Sequence, residues 1–314
     1  MNKIIILGCG YLGANLANYI SKYYDEYVYV VGHKNGYYEY LNENVSFVNL
    51  PTQDINEKFK DIFENSICVD ATGTTNATSS LETSEMLCLK NCAQKLNLIH
   101  MLRKLNIKEY VYLSSGGIVY GDSENRHRED EKIDPLNIYG MEKMFLEQFL
   151  KVNYIENHEF NYLILRVANP YGGVVLPNKK QGIIDVTIHK LLDGDPIDFY
   201  GDIDNVRDYI YIDDFSEAVY KLLLMGKMND IYNVGTGIGY SIREVFTLIE
   251  KIYQKDIKLR ICHSNKTVNI RNSVLNIEKL KRDTQFSPKI SLEDGIARII
   301  QHLLPDDNVQ QKII

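Results

Sequence analysis

Cysteine is sparse and unpaired: Cys9, Cys68, Cys88, Cys92 and Cys262 make five, with no CxxC among them. An odd number without that spacing argues against a disulfide framework and a zinc site. Cys88 and Cys92 stand at helical spacing and read as core packing. An excess of positive charge is also missing. Lys and Arg number 35 against 42 Asp and Glu, a net charge of -7, which argues against a nucleic-acid binder, since such a protein normally carries a basic face. No apolar run is long enough to span a bilayer, so no membrane partner is expected. The opening "MNKIIILGCG" has an apolar run of only four residues ending in glycine, too short for a signal peptide. A reducing cytoplasm fits these absences. Repeats and low-complexity linkers are lacking too, and the charged run from Ser123 to Asp134 reads as a solvated loop.

What is present is an alternation. "KIIIL", "YVYVV", "VSFV", "SICVD" and "EYVYLSS" are β-type runs. Between them, residues 11–24, a segment near Asp54 to Phe63, and residues 81–105 place apolar side chains at helical period. "EFNYLILRVANPYGG" adds a sixth strand. Strands alternating with helices predict an α/β fold: a Rossmann-like, doubly wound parallel sheet. Beyond Gly172 the rhythm loosens, which suits a smaller mixed α/β C-terminal lobe. The expected division is a dinucleotide-binding domain over 1–168, with roughly 205–234 returning to it, and a substrate domain made mainly of 169–314.

The first strand runs into "LGCGYLGANLA", where Gly8, Gly10 and Gly13 have GxGxxG spacing and Tyr11 and Leu12 lie inside the turn. After a strand and before a helix, that spacing predicts a pyrophosphate cradle: one glycine for the turn, one for close approach, one for helix–strand packing. An NAD enzyme normally ends its second strand in an acid that holds the ribose hydroxyls. Here Gly32 occupies that place, followed by His33 and Lys34. A missing carboxylate and two cationic candidates favour NADP(H), with NAD(H) as the alternative.

"PLNIYGMEKMFLEQFL", from Pro135, sets Tyr139 and Lys143 four residues apart at the start of an amphipathic helix. Positions i and i+4 share a helix face. A lysine held there should lower the phenol's pKa from its ordinary value near 10. Of the 23 tyrosines only Tyr139 has a lysine at that spacing. "VYLSSGG" ends a strand and supplies a hydroxyl, Ser115 or its neighbour Ser114, at the sheet edge where such folds bind ligands. Ser115, Tyr139 and Lys143 beside a nicotinamide would make a carbonyl-to-alcohol hydride-transfer site.

Taken together, these motifs make the chain resemble the extended short-chain dehydrogenase/reductases, the NAD-dependent epimerase/dehydratase family that processes nucleotide sugars. The resemblance rests on the glycine turn, "ATGTTNATS" from Ala71, "LSSGGIVYGD" from Leu113, Pro135 to Lys143 and "RVANPYG" from Arg166. "QGII" from Gln181, "VRDYIYIDDFSEA" from Val206 and "NSVLNIEKLK" from Asn272 extend it over nearly the whole chain. It implies that Ala71, Thr72 and Gly73 line the dinucleotide. Tyr139 would exchange a proton with the sugar's C4 oxygen, Ser115 would hydrogen-bond that oxygen, and Lys143 would hold the nicotinamide ribose. Asn169, Arg207 and Tyr209 would contact the nucleoside-diphosphate sugar, with Lys266 where relatives often carry a second diphosphate-binding arginine. The resemblance also implies a homodimer, in keeping with the wide apolar faces of residues 81–105 and 139–154. Three functions follow: NADPH-dependent reduction of a nucleotide-linked 4-keto-deoxysugar, 4-epimerisation with retained NAD, and a non-catalytic dinucleotide sensor. The Gly32 reading puts the reductase first, and the intact Ser, Tyr and Lys set argues against the sensor.

Overall fold

The run Ile4–Leu7 shows how the main sheet is built. Ile4 and Ile6 enter one apolar core and Ile5 and Leu7 the other, all fully buried. A strand covered on both faces reads as continuous hydrophobic sequence. The computed structural model describes residues 1–73, 81–157, 161–176, 182–262 and 270–304. Lys266, residues 74–79 of the "ATGTTNATS" stretch and Gln181 lie outside the described residues.

In chain order the first half comprises β1 (Lys3–Leu7), α1 (Tyr11–Tyr23), β2 (Tyr27–Gly32), β3 (Ser46–Asn49), α2 (Lys60–Phe63), β4 (Ile67–Asp70), α3 (Leu81–Lys104) and β5 (Glu109–Ser115). Then come α4 (Gly116–Val119), α5 (Ile138–Asn157), β6 (Asn161–Val167), β7 (Asn169–Tyr171), α6 (Ile183–Asp193), β8 (Ile197–Tyr200), β9 (Val206–Tyr211) and α7 (Ile212–Met225). The remainder is β10 (Asp230–Val234), β11 (Gly239–Ser241), α8 (Ile242–Tyr253), β12 (Leu259–Cys262), β13 (Asn272–Ser273), α9 (Glu278–Thr284) and α10 (Leu292–Leu303).

Seven strands form a wholly parallel sheet in the order β3-β2-β1-β4-β5-β6-β10. Helices α1 and α7 pack together on one face, and α3 and α5 on the other. This is the Rossmann-like arrangement, with ligand space at the carboxyl edge of the strands. β9 carries β7, β11 and β13 in a small second sheet, and β8 pairs with β12. From the later stretch, α7 and β10 return to the main sheet while β9 belongs to the small one. Among the described residues no helix is long and apolar enough to cross a membrane.

Two local expectations are corrected. The segment near Asp54 to Phe63 is not one helix: 3-10 turns at Thr52–Asp54 and Glu57–Phe59 precede α2. Ile55 is extended, and the Asn56 side chain accepts from the Lys58 N–H and starts a fresh turn. The sixth strand is two: it breaks at Ala168, so that β6 serves the main sheet and β7 pairs with β9.

Candidate active site

The glycine turn has the geometry its spacing predicts. Gly8 takes a left-handed φ of +99°, and a Cβ on Gly13 would lie 2.0 Å from the Gly8 carbonyl oxygen. Gly10 caps α1 without a side chain, and a Cβ there would meet nothing within 4 Å. That leaves space beside the N-terminus of α1, the end of a helix that favours phosphate. Ala71 continues the β1–β4 ladder by donating to the Leu7 carbonyl at 3.0 Å. The Thr72 methyl closes over Gly8, and Gly73 is exposed. Tyr11 donates to the Gly172 carbonyl at 2.8 Å, tying the turn to the loop after β7, and Leu12 is partly buried.

Gly32 ends β2 and is buried against this turn. A Cβ on it would stand 3.2 Å from the Cys9 nitrogen and 3.4 Å from the Gly8 Cα, so a side chain here would point at the cradle. His33 and Lys34 are exposed, and the Lys34 ammonium lies 4.3 Å from the centre of the Tyr38 ring. These features fit a dinucleotide: a cradle no Cβ fills, an open helix end, and no carboxylate at position 32.

The Asn137 side chain starts α5 by accepting the Gly140 N–H at 2.8 Å. Gly140 packs so tightly that a Cβ would meet Ile118 and Pro135 at 2.7 Å. This fixes Tyr139 at the mouth of the helix, hydrogen-bonded to Ser115 at the end of β5. Burial pushes the Tyr139 phenol up to about 12, with the Ser115 bond opposing the rise. Lys143 is buried one turn on and donates to the Leu113 carbonyl at 3.0 Å. Its ammonium lies 5.5 Å from the centre of the Tyr139 ring. The expectation of a phenol below its ordinary value is corrected here: in the free protein burial raises it, and the influence that opposes the rise is the Ser115 bond. Burial also pulls the Lys143 ammonium down, against the carboxylates of Glu142, Asp70 and Glu147.

Ser114 and Ser115 face opposite ways, as successive strand residues must. The Ser114 hydroxyl is buried and donates to Glu147 Oε1 at 2.6 Å. Glu147 also receives the Arg166 guanidinium in a forked pair, the shortest contact 2.7 Å. Ser114 thus belongs to a structural network and Ser115 to the open edge.

Asn169 and Tyr209 are register partners on β7 and β9. The Asn169 amide donates to the Asp208 carbonyl at 2.8 Å, and its side chain stands opposite Gly117. Tyr209 is buried, and its hydroxyl has no hydrogen-bond partner among the described residues. Arg207 donates to its neighbour's carbonyl, Val206, at 2.8 Å. Burial lowers its pKa, and among the described residues it forms no salt bridge, although Asp122 lies near enough to favour its charge. A half-buried guanidinium of this kind has capacity left for a phosphate.

Sequence reasoning missed the polar groups behind the site. Asp70, ending β4, pairs with Lys95 of α3, and the Tyr110 hydroxyl donates to the same carboxylate. One signal was available: Lys95 lies on the α3 stripe with Leu98, Ile99 and Leu102, where a lysine must find a partner.

Comparisons with known proteins show the family to which this fold belongs. The NAD dependent epimerase/dehydratase family matches residues 4–235. A candidate UDP-glucose 4-epimerase of Methanocaldococcus jannaschii is 29% identical over 310 residues, covering 93% of this chain and 95% of its own. A dTDP-4-dehydro-6-deoxyglucose reductase of Escherichia coli is 30% identical, covering 69% of this chain and 68% of its own. The crystal structure of UDP-glucose 4-epimerase with UDP-glucose from Thermotoga maritima superposes with a TM-score of 0.83 at 26% identity, over 96% of this chain and 98% of that one. With the match spanning the glycine turn, the Ser115–Tyr139–Lys143 cluster and the return to β10, this chain is an enzyme of the NAD dependent epimerase/dehydratase family.

Proposed function

We propose that the enzyme reduces the 4-keto group of a nucleoside-diphosphate-linked deoxysugar, with NADPH as reductant. The observation that carries this reading is the absence of a carboxylate at Gly32, a position aimed at the dinucleotide cradle, followed by exposed His33 and Lys34. An acid there would repel a 2′-phosphate, whereas Lys34 can approach one. The relative from Escherichia coli named as a 4-dehydro-6-deoxysugar reductase supports the same chemistry.

The residues that would hold the cofactor are Gly8 to Gly13, Gly32 to Lys34, Ala71 to Gly73, Tyr139 and Lys143. When bound, the nicotinamide supplies the hydride to C4. Tyr139, whose phenol burial keeps protonated through the neutral range, gives its proton to the C4 oxygen. Ser115 holds that oxygen in line. Lys143 supplies the charge that stabilises the phenolate left behind. Arg207 binds the diphosphate, and Asn169 and Tyr209 line the same wall. Exposed apolar side chains on α3 and α5, among them Leu89, Phe145 and Ile155, would meet across a two-fold axis in a homodimer. A monomer in sedimentation at micromolar concentration would remove that part of the reading.

A second reading, 4-epimerisation with retained NAD, has its own support in the near-full-length candidate epimerase. The test incubates the protein with NADPH and a nucleoside-diphosphate 4-keto-6-deoxysugar and follows nicotinamide absorbance and product. Stoichiometric NADPH loss with formation of the 4-hydroxy sugar supports reduction. Purified protein that retains NAD⁺ and interconverts 4-epimers without net nicotinamide turnover overturns it.

A further inference from the structure

The reaction as proposed uses one buried lysine, yet the site contains two. Lys95 projects from α3 beneath the end of β4, with its side chain only 8% exposed. It is ion-paired with Asp70, whose side chain is fully buried. It also donates to the Thr72 carbonyl at 3.0 Å. Asp70 in turn accepts the Thr72 N–H at 2.9 Å and the Thr72 hydroxyl at 2.6 Å. The ring of Tyr112 faces both ammonium groups, with Lys143 4.9 Å and Lys95 5.9 Å from its centre. Two buried cations close to one tyrosine repel each other in a medium of low polarity, so the anion paired with Lys95 carries weight.

The groups facing Lys143 can be named element by element. Tyr139, Glu142 and Glu147 come from its own helix, Asp70 from β4, Lys95 from α3, and Tyr112 with the Leu113 carbonyl from β5. Glu147 is already neutralised by Arg166, and Glu142 accepts a 3.0 Å hydrogen bond from Asn91. Beside Glu142, the largest favourable charge on Lys143, the Asp70–Lys95 pair adds one buried charge of each sign.

We propose that Asp70 and Lys95 are positioning residues that set how firmly Lys143 holds its proton behind Tyr139. Asp70 favours the Lys143 ammonium and Lys95 opposes it, so the intact pair leaves Lys143 charged without locking it. The pair also braces the Thr72 turn, whose methyl covers Gly8. The catalytic consequence rests on the proposed proton transfer from Tyr139, whereas the electrostatic coupling does not.

The two substitutions move Lys143 in opposite directions, which a merely structural role would not do. Asp70→Asn removes the anion and leaves two like charges, so Lys143 should lose its proton at a pH lower by roughly one unit. Lys95→Met removes the opposing cation, so Lys143 should keep its proton to a pH higher by roughly one unit. The double variant, Asp70→Asn with Lys95→Met, buries no unpaired charge and should titrate near wild type, so if one single variant folds poorly the other, read against wild type and the double variant, still shows a shift and its reversal. Lysine ¹³Cε NMR of the full chain reads this directly, with the Lys143 signal assigned from its loss in Lys143→Arg. Opposite shifts that cancel in the double variant support the proposal. Unchanged titration, or shifts of the same sign in both single variants, overturns it. The alkaline limb of kcat/KM on the 4-keto sugar should follow the NMR shifts, and a limb that ignores them removes the catalytic part. If wild type does not turn over the keto sugar, the functional reading fails while the NMR result still decides the coupling.

Discussion

The Ser114 hydroxyl donates a 2.6 Å hydrogen bond to the buried carboxylate of Glu147, while its neighbour Ser115 bonds Tyr139. The two hydroxyls therefore have separable roles. Ser114→Ala removes a donor from a buried carboxylate and should cost about 1–3 kcal/mol of stability with kcat little changed. Ser115→Ala should leave stability near wild type and lower kcat by roughly 10²-fold, the loss typical of one donor to a developing oxyanion. Denaturant unfolding and steady-state rates on both variants check the pair, and the opposite partition would reassign the hydroxyl.

Tyr139→Phe keeps the ring and its packing but removes the proton. Turnover should fall by about 10²–10⁴-fold with dinucleotide binding retained. The wild-type pH profile has a defined sign as well. The protonated phenol is the active form, and burial holds its pKa near 12 in the free protein. Activity should therefore hold through neutral pH, and its alkaline limb should be set by Lys143, which burial makes release its proton before the phenol does. Near-native rates in Tyr139→Phe would contradict the proton-donor role.

Arg207 has its charge half-buried and no salt bridge among the described residues. Arg207→Ala should raise KM for the nucleotide sugar and weaken the nucleoside diphosphate alone, with kcat largely kept, because binding of a non-reacting group is lost equally in ground and transition states. Calorimetry with the bare nucleoside diphosphate checks it. Unaltered affinity would remove Arg207 from the diphosphate wall.

Glu109, at the start of β5, is 1% exposed, and its Oε1 has no hydrogen-bond partner among the described residues. Burial pushes its carboxyl up to about 7. The folded state thus holds a proton that the unfolded chain releases near 4.5. Stability from this group is complete below the unfolded value and declines as pH rises towards 7. Glu109→Gln should therefore stabilise the protein at pH above that range by about 1–3 kcal/mol and do little in acid. Thermal unfolding of both proteins at the two ends of that window tests the sign.

Much of this was legible in the sequence because its signals are local. The glycine spacing, the strand–helix alternation and the i, i+4 pairing of Tyr139 with Lys143 each depend on a short stretch of backbone. Alternation along β5 also dictates that Ser114 and Ser115 face apart, but which one meets Tyr139 is fixed only by how β5 sits against α5. Asp70 and Lys95 are 25 residues apart on different elements, so their pairing is tertiary, and only the misplaced lysine on an apolar stripe hinted at it. The Tyr139 shift was misjudged for a quantitative reason. Spacing shows that a cation is near, but not how deeply both groups are buried. The break at Ala168, which sends β7 to a second sheet, follows from Asn169 pairing with Tyr209, a contact 40 residues distant.

The central claim is that this enzyme draws on the NADPH pool, and its sharpest test is at Gly32. A Cβ here faces the Cys9 nitrogen at 3.2 Å, so Gly32→Asp requires the cradle backbone to give by a few tenths of an ångström and aims a carboxylate at the cradle. That carboxylate would accept ribose hydroxyls and repel a 2′-phosphate, changing the cofactor ratio by about 1.5–3 kcal/mol, or roughly 10- to 100-fold. Lys34→Ala should weaken NADPH alone, since its ammonium otherwise leaves the Tyr38 ring for the phosphate. The measurement is the ratio of dissociation constants for NADPH and NADH in wild type and both variants. The account predicts that wild type prefers NADPH by at least about tenfold, that Gly32→Asp reverses the preference, and that Lys34→Ala reduces it. A wild type that binds NADH more tightly would contradict it, and the reductase reading would give way to the epimerase.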